Sequence, residues 1–191
     1  MVAQGLPARS KSVPRRSEDS KARIIDSAQR VFSQKGYART GLREIAAHAG
    51  VAGSLVVKYF SSKSNLFEVA LAKALIDPAI FQADRARFGQ SLVASISEPG
   101  MAVLAPAMIA LSLGDDEAMK VILKVSREAI VAPMADWLGG PDADARAHFI
   151  LMLTTCYAIF GRHLVMGDAE QTQARTAQMI ADALQASVDR D

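Results

Sequence analysis

The most informative run of the chain is LREIAAHAGVAGSLVVKYF, from 42 to 60. Two short predicted helices meet there at Gly50, because glycine suits the positive φ of a tight turn. Their apolar positions would share a core, which leaves one face of the second helix exposed. Hydroxyl, ammonium and small side chains on such a face can meet phosphates and base edges of DNA. The outward residues are Gly53, Ser54, Leu55, Lys58 and part of Tyr59.

This arrangement is that of a helix-turn-helix, whose second helix enters the DNA major groove. Ala46 is small where the two helices would touch. An ordinary αα-hairpin uses the same small and apolar positions, so the helix pair leaves both interpretations open. The predicted shared core consists of Ile45, Ala49, Val51, Val56 and Tyr59.

The charge of the chain is uneven. Residues 1–76 carry 13 Lys and Arg against 5 Asp and Glu, a net charge of +8. Residues 77–191 carry 9 against 15, a net charge of −6. A basic first part on an acidic remainder favours a module that binds a polyanion, although chance clustering of surface charge gives the same counts.

The sequence gives little support for enzyme or metal chemistry. His48, His148 and His163 are scattered, and there is neither an H-x-x-x-H spacing nor a G-x-S-x-G run. Cys156 is the single cysteine and lies in an apolar run, so we expect an inert buried thiol and a reducing compartment. We predict no catalytic residue, no metal and no cofactor. Without a signal core, and with apolar runs of about 13 residues where a membrane span needs about 20, the predicted location is cytoplasmic, away from the membrane.

Periodicity predicts helices and no strands. The predicted fold is all-α with about nine helices: an N-terminal three-helix helix-turn-helix DNA-binding domain and a larger helical ligand-binding and dimerisation domain. We expect a disordered basic arm at 1–19, the DNA-binding domain at 20–76 and the larger domain at 77–191. Thr40 is the predicted N-cap of the second helix, and Ser61 or Ser62 that of the fourth. The predicted helices are 20–35, 42–49, 53–59 and 62–75, then 78–88, 101–113, 116–132, 143–165 and 170–188.

Residues 20 to about 70 resemble the N-terminal domain of the TetR/AcrR family of transcriptional regulators. The first helix ends in the family's F-x-x-x-G-Y/F pattern, from Phe32 to Tyr37. The family's first motif helix is matched by 45–51, and its Y/H-F-x-x-K pattern by 59–63. The resemblance implies a homodimeric, sequence-specific regulator: a repressor that a small apolar or amphipathic effector releases from a palindromic operator in double-stranded DNA.

The residue types on this surface indicate which side chains would contact DNA. Arg39, Thr40, Arg43, Tyr59 and Lys63 are the candidates for phosphates, and Lys58 for a guanine edge or a phosphate. Gly53, Ser54 and Leu55 would lie against the base pairs. Family members often have Ser or Thr where this chain has Ala52, and Tyr where it has Val57. The resemblance therefore supplies no contact at those two positions.

The C-terminal part carries apolar surfaces that need cover. The helix at 143–165 is apolar nearly all round between Phe149 and Gly161. The resemblance implies that 143–165 and 170–188 form a four-helix dimer interface, although both surfaces could instead be filled within one protomer. The apolar stripe of the last helix consists of Ala177, Ile180, Ala181, Leu184 and Val188.

The resemblance also implies an effector pocket in this part, although for any single candidate the sequence favours a plain hydrophobic core over a pocket. Arg127, Glu128 and His163 are polar candidates for orienting a ligand, or else a surface pair and a capping histidine. The candidate lining residues are Met101, Leu104, Met108, Met119, Ile122, Trp137, Phe149, Met152, Cys156 and Phe160.

Two other function classes stay open at this point. The basic module could bind an acidic protein partner, which would make the chain a helical adaptor. The C-terminal cavity could instead serve a small-molecule enzyme.

Overall fold

The first four helices form the N-terminal part of the fold. The computed structural model describes residues 13–75, 84–98, 104–163 and 170–190. The first helix contacts the second, third and fourth, so it is the centre of this part. The bounds are α1 (Val13–Lys35), α2 (Leu42–Ala49), α3 (Gly53–Phe60) and α4 (Lys63–Leu75).

The described remainder is also helical, and no strand occurs in the described ranges. The all-α prediction is therefore confirmed. If α7 and α8 are counted as one continuous rod, the described ranges contain nine helices, as predicted. The bounds are α5 (Phe88–Ser97, after a 3-10 turn at Arg85–Arg87), α6 (Leu104–Ala110), α7 (Asp116–Ser126), α8 (Ala132–Leu138), α9 (Ala143–His163) and α10 (Glu170–Val188).

The structure corrects the start of the first helix and the cap of the second. The first helix begins at Val13, seven residues before the predicted start near Ser20; a proline at position 14 is tolerated in a first helical turn. Residues 13–19 are thus helical, and 1–12 lie outside the described residues. The predicted helix 78–88 falls mostly outside them too, and the described helix there begins at Phe88, where prediction ended it. The second helix is capped by Gly41, with no side-chain capping bond, and not by Thr40.

A continuous rod links α7 to α8 through a π-helical turn at Arg127–Val131. Pro133, in the first turn of α8, has no N–H to donate to the preceding turn. The wider turn accommodates this missing donor, so the helix runs past the predicted end at 132 and stops at Gly139.

Two hydrophobic cores divide the described residues. The first joins α1–α4 to α6 and α7, and it includes Met108, Val121 and Ile122 beside Phe32 and Phe67. The second is formed by α5, α8, α9 and α10. The core of the N-terminal helices therefore continues into α6 and α7, beyond the predicted boundary at 77, which itself lies outside the described residues.

The loop between α1 and α2 lies where the N-terminal helices meet the turn after α6. Tyr37 is 2% exposed, and its ring packs edge-on against Phe67 at 5.1 Å between centroids. Its backbone N–H donates to Ser112 Oγ at 3.0 Å. Gly36 has φ +73°, and a Cβ there would lie 2.2 Å from the carbonyl oxygen of Leu111. The loop and the turn after α6 are thus in backbone contact.

A buried arginine closes the second core. Arg146 is 5% exposed, and its guanidinium donates to backbone carbonyls that end α8 and α10. Because helix C-termini carry unpaired carbonyls and partial negative charge, these acceptors satisfy the buried cation. The acceptors belong to Gly139, Pro141, Ser187 and Arg190.

Candidate nucleic-acid interface

The turn between α2 and α3 is built as the sequence predicts. Gly50 has φ 63° and ψ 41°, the left-handed conformation that favours glycine. The backbone N–H groups of Gly50 and Val51 donate to Ala47 and Ala46, which closes α2. Ile45, Ala46, Ala49 and Val56 are buried, and Val51 and Tyr59 pack beside them. The predicted shared core is confirmed.

The outer face of α3 carries the predicted contact residues. Ser54 and Lys58 are exposed, and Gly53, Leu55 and Tyr59 are half-buried. Val57 is 50% exposed on the same face. Sequence reasoning left Val57 out, although its helical spacing from Ser54 places it there. The only charge on α3 is that of Lys58, so nothing on this helix repels a phosphate.

The beginning of α3 has no side-chain cap. Its N-cap residue is Ala52, which offers no acceptor to the first N–H groups of the helix. These groups keep the partial positive charge of a helix start. The absence of a hydroxyl, noted in the sequence, is therefore real in the structure.

Thr40 has a different local role from the predicted cap. It is 3% exposed, and its hydroxyl donates to the Gly36 carbonyl at 2.7 Å. This bond closes the loop after α1. Arg39 and Arg43 are both exposed, and Arg39 Nε donates to the Lys35 carbonyl at 3.1 Å. The contacts of these three residues with DNA stay predictions.

Lys63, at the start of α4, is held by the protein itself. Its ammonium donates to the Tyr37 carbonyl at 3.2 Å and lies 4.0 Å from the centre of the Tyr37 ring. An ammonium has three hydrogens, so donors remain for a phosphate. Ser62 Oγ accepts from the N–H of Asn65 at 3.1 Å, which confirms Ser62 as the cap of α4.

Several cations of residues 17–75 form no ion pair with a described carboxylate. In residues 17–75, Lys35 and Lys73 form ion pairs with Glu44 and Asp26. No carboxylate in the described part of the chain pairs with the other cations of that stretch. These are Lys21, Arg23, Arg30, Arg39, Arg43, Lys58 and Lys63.

Comparison with known proteins identifies this module. Residues 24–70 match the family described as bacterial regulatory proteins, tetR family. Over these residues the chain is similar to that family. The match covers both helices of the motif and the start of α4.

Relatives extend the comparison. The chain is 36% identical over 55 residues to the HTH-type transcriptional regulator TtgR of Pseudomonas putida, which is 29% of this chain and 26% of TtgR. The match thus spans about a quarter of that relative. An uncharacterized HTH-type transcriptional regulator of Mycobacterium tuberculosis is 27% identical over 167 residues, 76% of this chain and 78% of that protein.

The fold is shared over most of the chain. The crystal structure of NalD, the secondary repressor of the MexAB-OprM multidrug efflux pump in Pseudomonas aeruginosa, has a TM-score of 0.62 at 16% identity. The alignment covers 92% of this chain and 99% of NalD.

A cavity of about 680 Å³ lies between α9, α10 and the end of α5. Of the predicted ligand-binding residues, Cys156 and Phe160 line it, together with Tyr157, whose hydroxyl is 2.9 Å from Ser97 Oγ. Its polar lining includes Glu170, Thr172, Gln173 and Thr176.

The other predicted ligand residues are dispersed. Met108 and Ile122 are buried in the first core, with Met119 packed against it. Leu104 is half-buried at the start of α6. The guanidinium of Arg85 lies over the Trp137 ring, 4.5 Å from the centre of that ring. Phe149 and Met152 are exposed on α9. Met101 and the side chain of His163 lie outside the described residues, and Arg127 and Glu128 are exposed.

Cys156 is exposed, so the prediction of a buried thiol was wrong. The apolar run of α9 is only partly covered within the protomer. Ala147 and Ile150 belong to the second core, whereas one stripe of exposed side chains faces outward. That outward stripe contains Phe149 at 41%, Met152 at 60% and Phe160 at 52% exposure, with Cys156 among them.

The described helices include none that is long and apolar enough to cross a membrane. Within the same residues, no group of His, Cys, Asp and Glu side chains could hold a metal ion.

Proposed function

We propose that this chain is a homodimeric transcriptional repressor that binds operator DNA and is released by a small apolar or amphipathic molecule. The observation that carries the proposal is the outer face of α3, which presents Ser54, Val57 and Lys58 to solvent beside unpaired cations. A helix of this kind fits a major groove, and the surrounding cations fit its phosphates. The names of TtgR and NalD as regulator and repressor support the same function.

Residue roles follow from chemistry. Lys58 would reach a guanine edge or a phosphate, and Val57 with Leu55 would meet thymine methyl groups. Tyr59, Lys63, Arg39, Arg43 and Thr40 would serve phosphates. Phosphate contacts fix the position of the protein, and base contacts select the sequence.

The dimer would form through α9 and α10. The outward stripe of α9 is apolar and exposed in one protomer, and soluble monomers rarely leave large apolar patches uncovered. The predicted stripe of α10 is instead covered within the protomer, because Ala181, Leu184 and Val188 are buried in the second core. A two-fold axis there would place two α3 helices about 34 Å apart, or a multiple of this spacing.

The cavity between α5, α9 and α10 supports an effector site. Aromatic and aliphatic lining with a few polar groups suits a small amphipathic molecule. Release requires that the effector binds a protomer arrangement incompatible with the operator more tightly than the DNA-bound one.

The test is a titration of DNA fragments from around the chain's own gene, with fluorescence anisotropy as the readout and several salt concentrations. We expect one palindromic fragment to bind in preference to unrelated DNA, with an affinity that falls steeply with salt. Lys58→Ala should change the sequence preference, and Lys63→Ala should weaken all fragments alike. Equal binding of every fragment at moderate salt would contradict the proposal.

A further inference from the structure

The first turns of α1 lie against the end of α3. Ser17 Oγ and the Tyr59 hydroxyl are 2.9 Å apart, and the contact is partly buried. The bond joins residues 42 positions apart and ties the start of one helix to the predicted recognition helix. Without the extension of α1 to Val13 there would be no helical turn at this place.

Two cations of α1 lie beside the two ends of α3. Lys21 Nζ is 5.9 Å from the ring centre of Phe60, the last residue of α3. Arg23 Nη2 is 3.5 Å from the carbonyl oxygen of Gly50, in the turn before α3. Both side chains are exposed, and neither forms an ion pair with a described carboxylate.

The geometry of the major groove indicates what Lys21 and Arg23 could contact. A helix in the major groove has a phosphate strand along each side, because the groove is only about 12 Å wide. Cations beside both ends of such a helix would therefore face the phosphates of one strand. Glu18 and Asp19 lie on the same turns and offset the positive charge of the segment. The expected contact with phosphates therefore depends on where Lys21 and Arg23 lie, and not on the net charge of the segment.

Ser17 has a separate role through Tyr59. The Tyr59 hydroxyl has one hydrogen, which it can give either to Ser17 or to a phosphate. If Ser17 donates to Tyr59, that hydrogen stays available and points away from Ser17. The phenol is then oriented before DNA arrives, which reduces the entropy lost on binding.

We propose that residues 17–23 of α1 form a second DNA-contact surface, in which Lys21 and Arg23 bind backbone phosphates and Ser17 is a positioning residue for Tyr59. This inference rests on the DNA-binding function proposed above. Its partner is the sugar-phosphate backbone next to the groove that α3 occupies.

The first experiment compares the full-length protein with the double variant Lys21→Ala/Arg23→Ala on the preferred fragment. The slope of log affinity against log salt should become shallower by about two per protomer, because each lost phosphate contact removes about 0.9. The control is Lys120→Ala/Arg87→Ala, which removes two exposed, unpaired cations from the body. Its slope should equal that of the wild type.

The second experiment is a double-mutant cycle of Ser17→Ala and Tyr59→Phe, with melting temperatures as a check on folding. Ser17→Ala should weaken DNA binding several-fold in the wild type and have no further effect beside Tyr59→Phe. Ser17→Thr keeps the hydroxyl and should restore binding.

The outcomes separate the two proposals. A wild type that prefers no fragment overturns both. A wild type that binds, together with an unchanged salt slope in Lys21→Ala/Arg23→Ala or additive effects in the cycle, overturns only the second DNA-contact surface. A shallower slope with non-additive effects supports it.

Discussion

The phenolic hydroxyl of Tyr37 donates a hydrogen bond of 2.5 Å to the carboxylate of Glu117, 80 residues further along the chain. Tyr37 belongs to the loop that precedes the helix-turn-helix, and Glu117 to the first turn of α7. The same ring lies beneath the ammonium of Lys63, a predicted phosphate contact. One side chain thus contacts both the body and the DNA-facing surface.

Removal of this hydroxyl should destabilise the fold. A hydrogen bond to a charged group contributes about 1.5–3 kcal/mol, so Tyr37→Phe should lower the free energy of unfolding by about that amount. Urea unfolding at pH 7 measures it. Tyr157→Phe, which removes an exposed bond to Ser97, is the matched control and should have a smaller effect. Equal losses in the two variants would contradict this role of Tyr37.

The same pair predicts a dependence on pH. Burial, followed by the hydrogen bond and the negative charge of Glu117, raises the pKa of Tyr37 above its ordinary value of 10.0. Below pH 10 the phenol is protonated in both folded and unfolded chains, so the stabilisation is fully present. Above pH 10 the unfolded chain loses this proton first, and stability falls. The advantage of the wild type over Tyr37→Phe should therefore shrink between pH 9 and 11, as measured by urea unfolding at each pH.

Two glycines with positive φ should respond differently to alanine. Gly50→Ala meets no atom within 4 Å and should cost only the backbone strain of about 1–2 kcal/mol. Gly36→Ala adds a collision with the Leu111 backbone and should cost clearly more. Denaturant midpoints of the two variants give the comparison. A smaller loss of stability in Gly36→Ala than in Gly50→Ala would contradict this expectation. It would show that the backbone of the turn after α6 moves at little cost to make room for the added Cβ.

A hydroxyl at the start of α3 should strengthen the protein. Ala52→Ser supplies the missing cap and should stabilise the fold by about 0.5–1 kcal/mol. It should also raise DNA affinity if the hydroxyl reaches a phosphate, whereas Ala52→Val should do neither. Thermal unfolding and fragment titration test the two effects separately.

The outer stripe of α9 should hold the dimer together. Met152→Glu would place a charge in the proposed interface, so it should convert the dimer to monomers in light scattering. Leu123→Glu is the control, because Leu123 is equally exposed, at 65% against 60%, but lies on α7. A wild-type monomer, or a dimer that survives Met152→Glu, would contradict the interface.

Local patterns in the sequence carried the prediction of the helix-turn-helix. Small and apolar positions at Ala46, Gly50 and Val56 define α2 and α3 without reference to the rest of the chain, and the structure agrees. The spans of α9 and α10 also follow from helix breakers and apolar periodicity, and α9 is described as far as His163.

Contacts between distant residues could not be predicted in the same way. The start of α1 has no apolar periodicity, and its helix is supported by Tyr59 and Phe60 on α3. The exposure of Cys156 depends on which side of α9 the second core covers. The bond between Tyr37 and Glu117 requires the packing of α7 on α4, which no local pattern indicates.

The first core, shared by α1–α4 with α6 and α7, limits how this protein can be divided. A fragment cut after α4 would expose the apolar surfaces of Phe32 and Phe67 that now lie in one cluster with Met108 and Val121. Such an isolated fragment of α1–α4 would tend to aggregate. Chimeras that exchange DNA specificity between relatives should therefore transfer α6 and α7 together with the helix-turn-helix. Their junction should lie after Ser126.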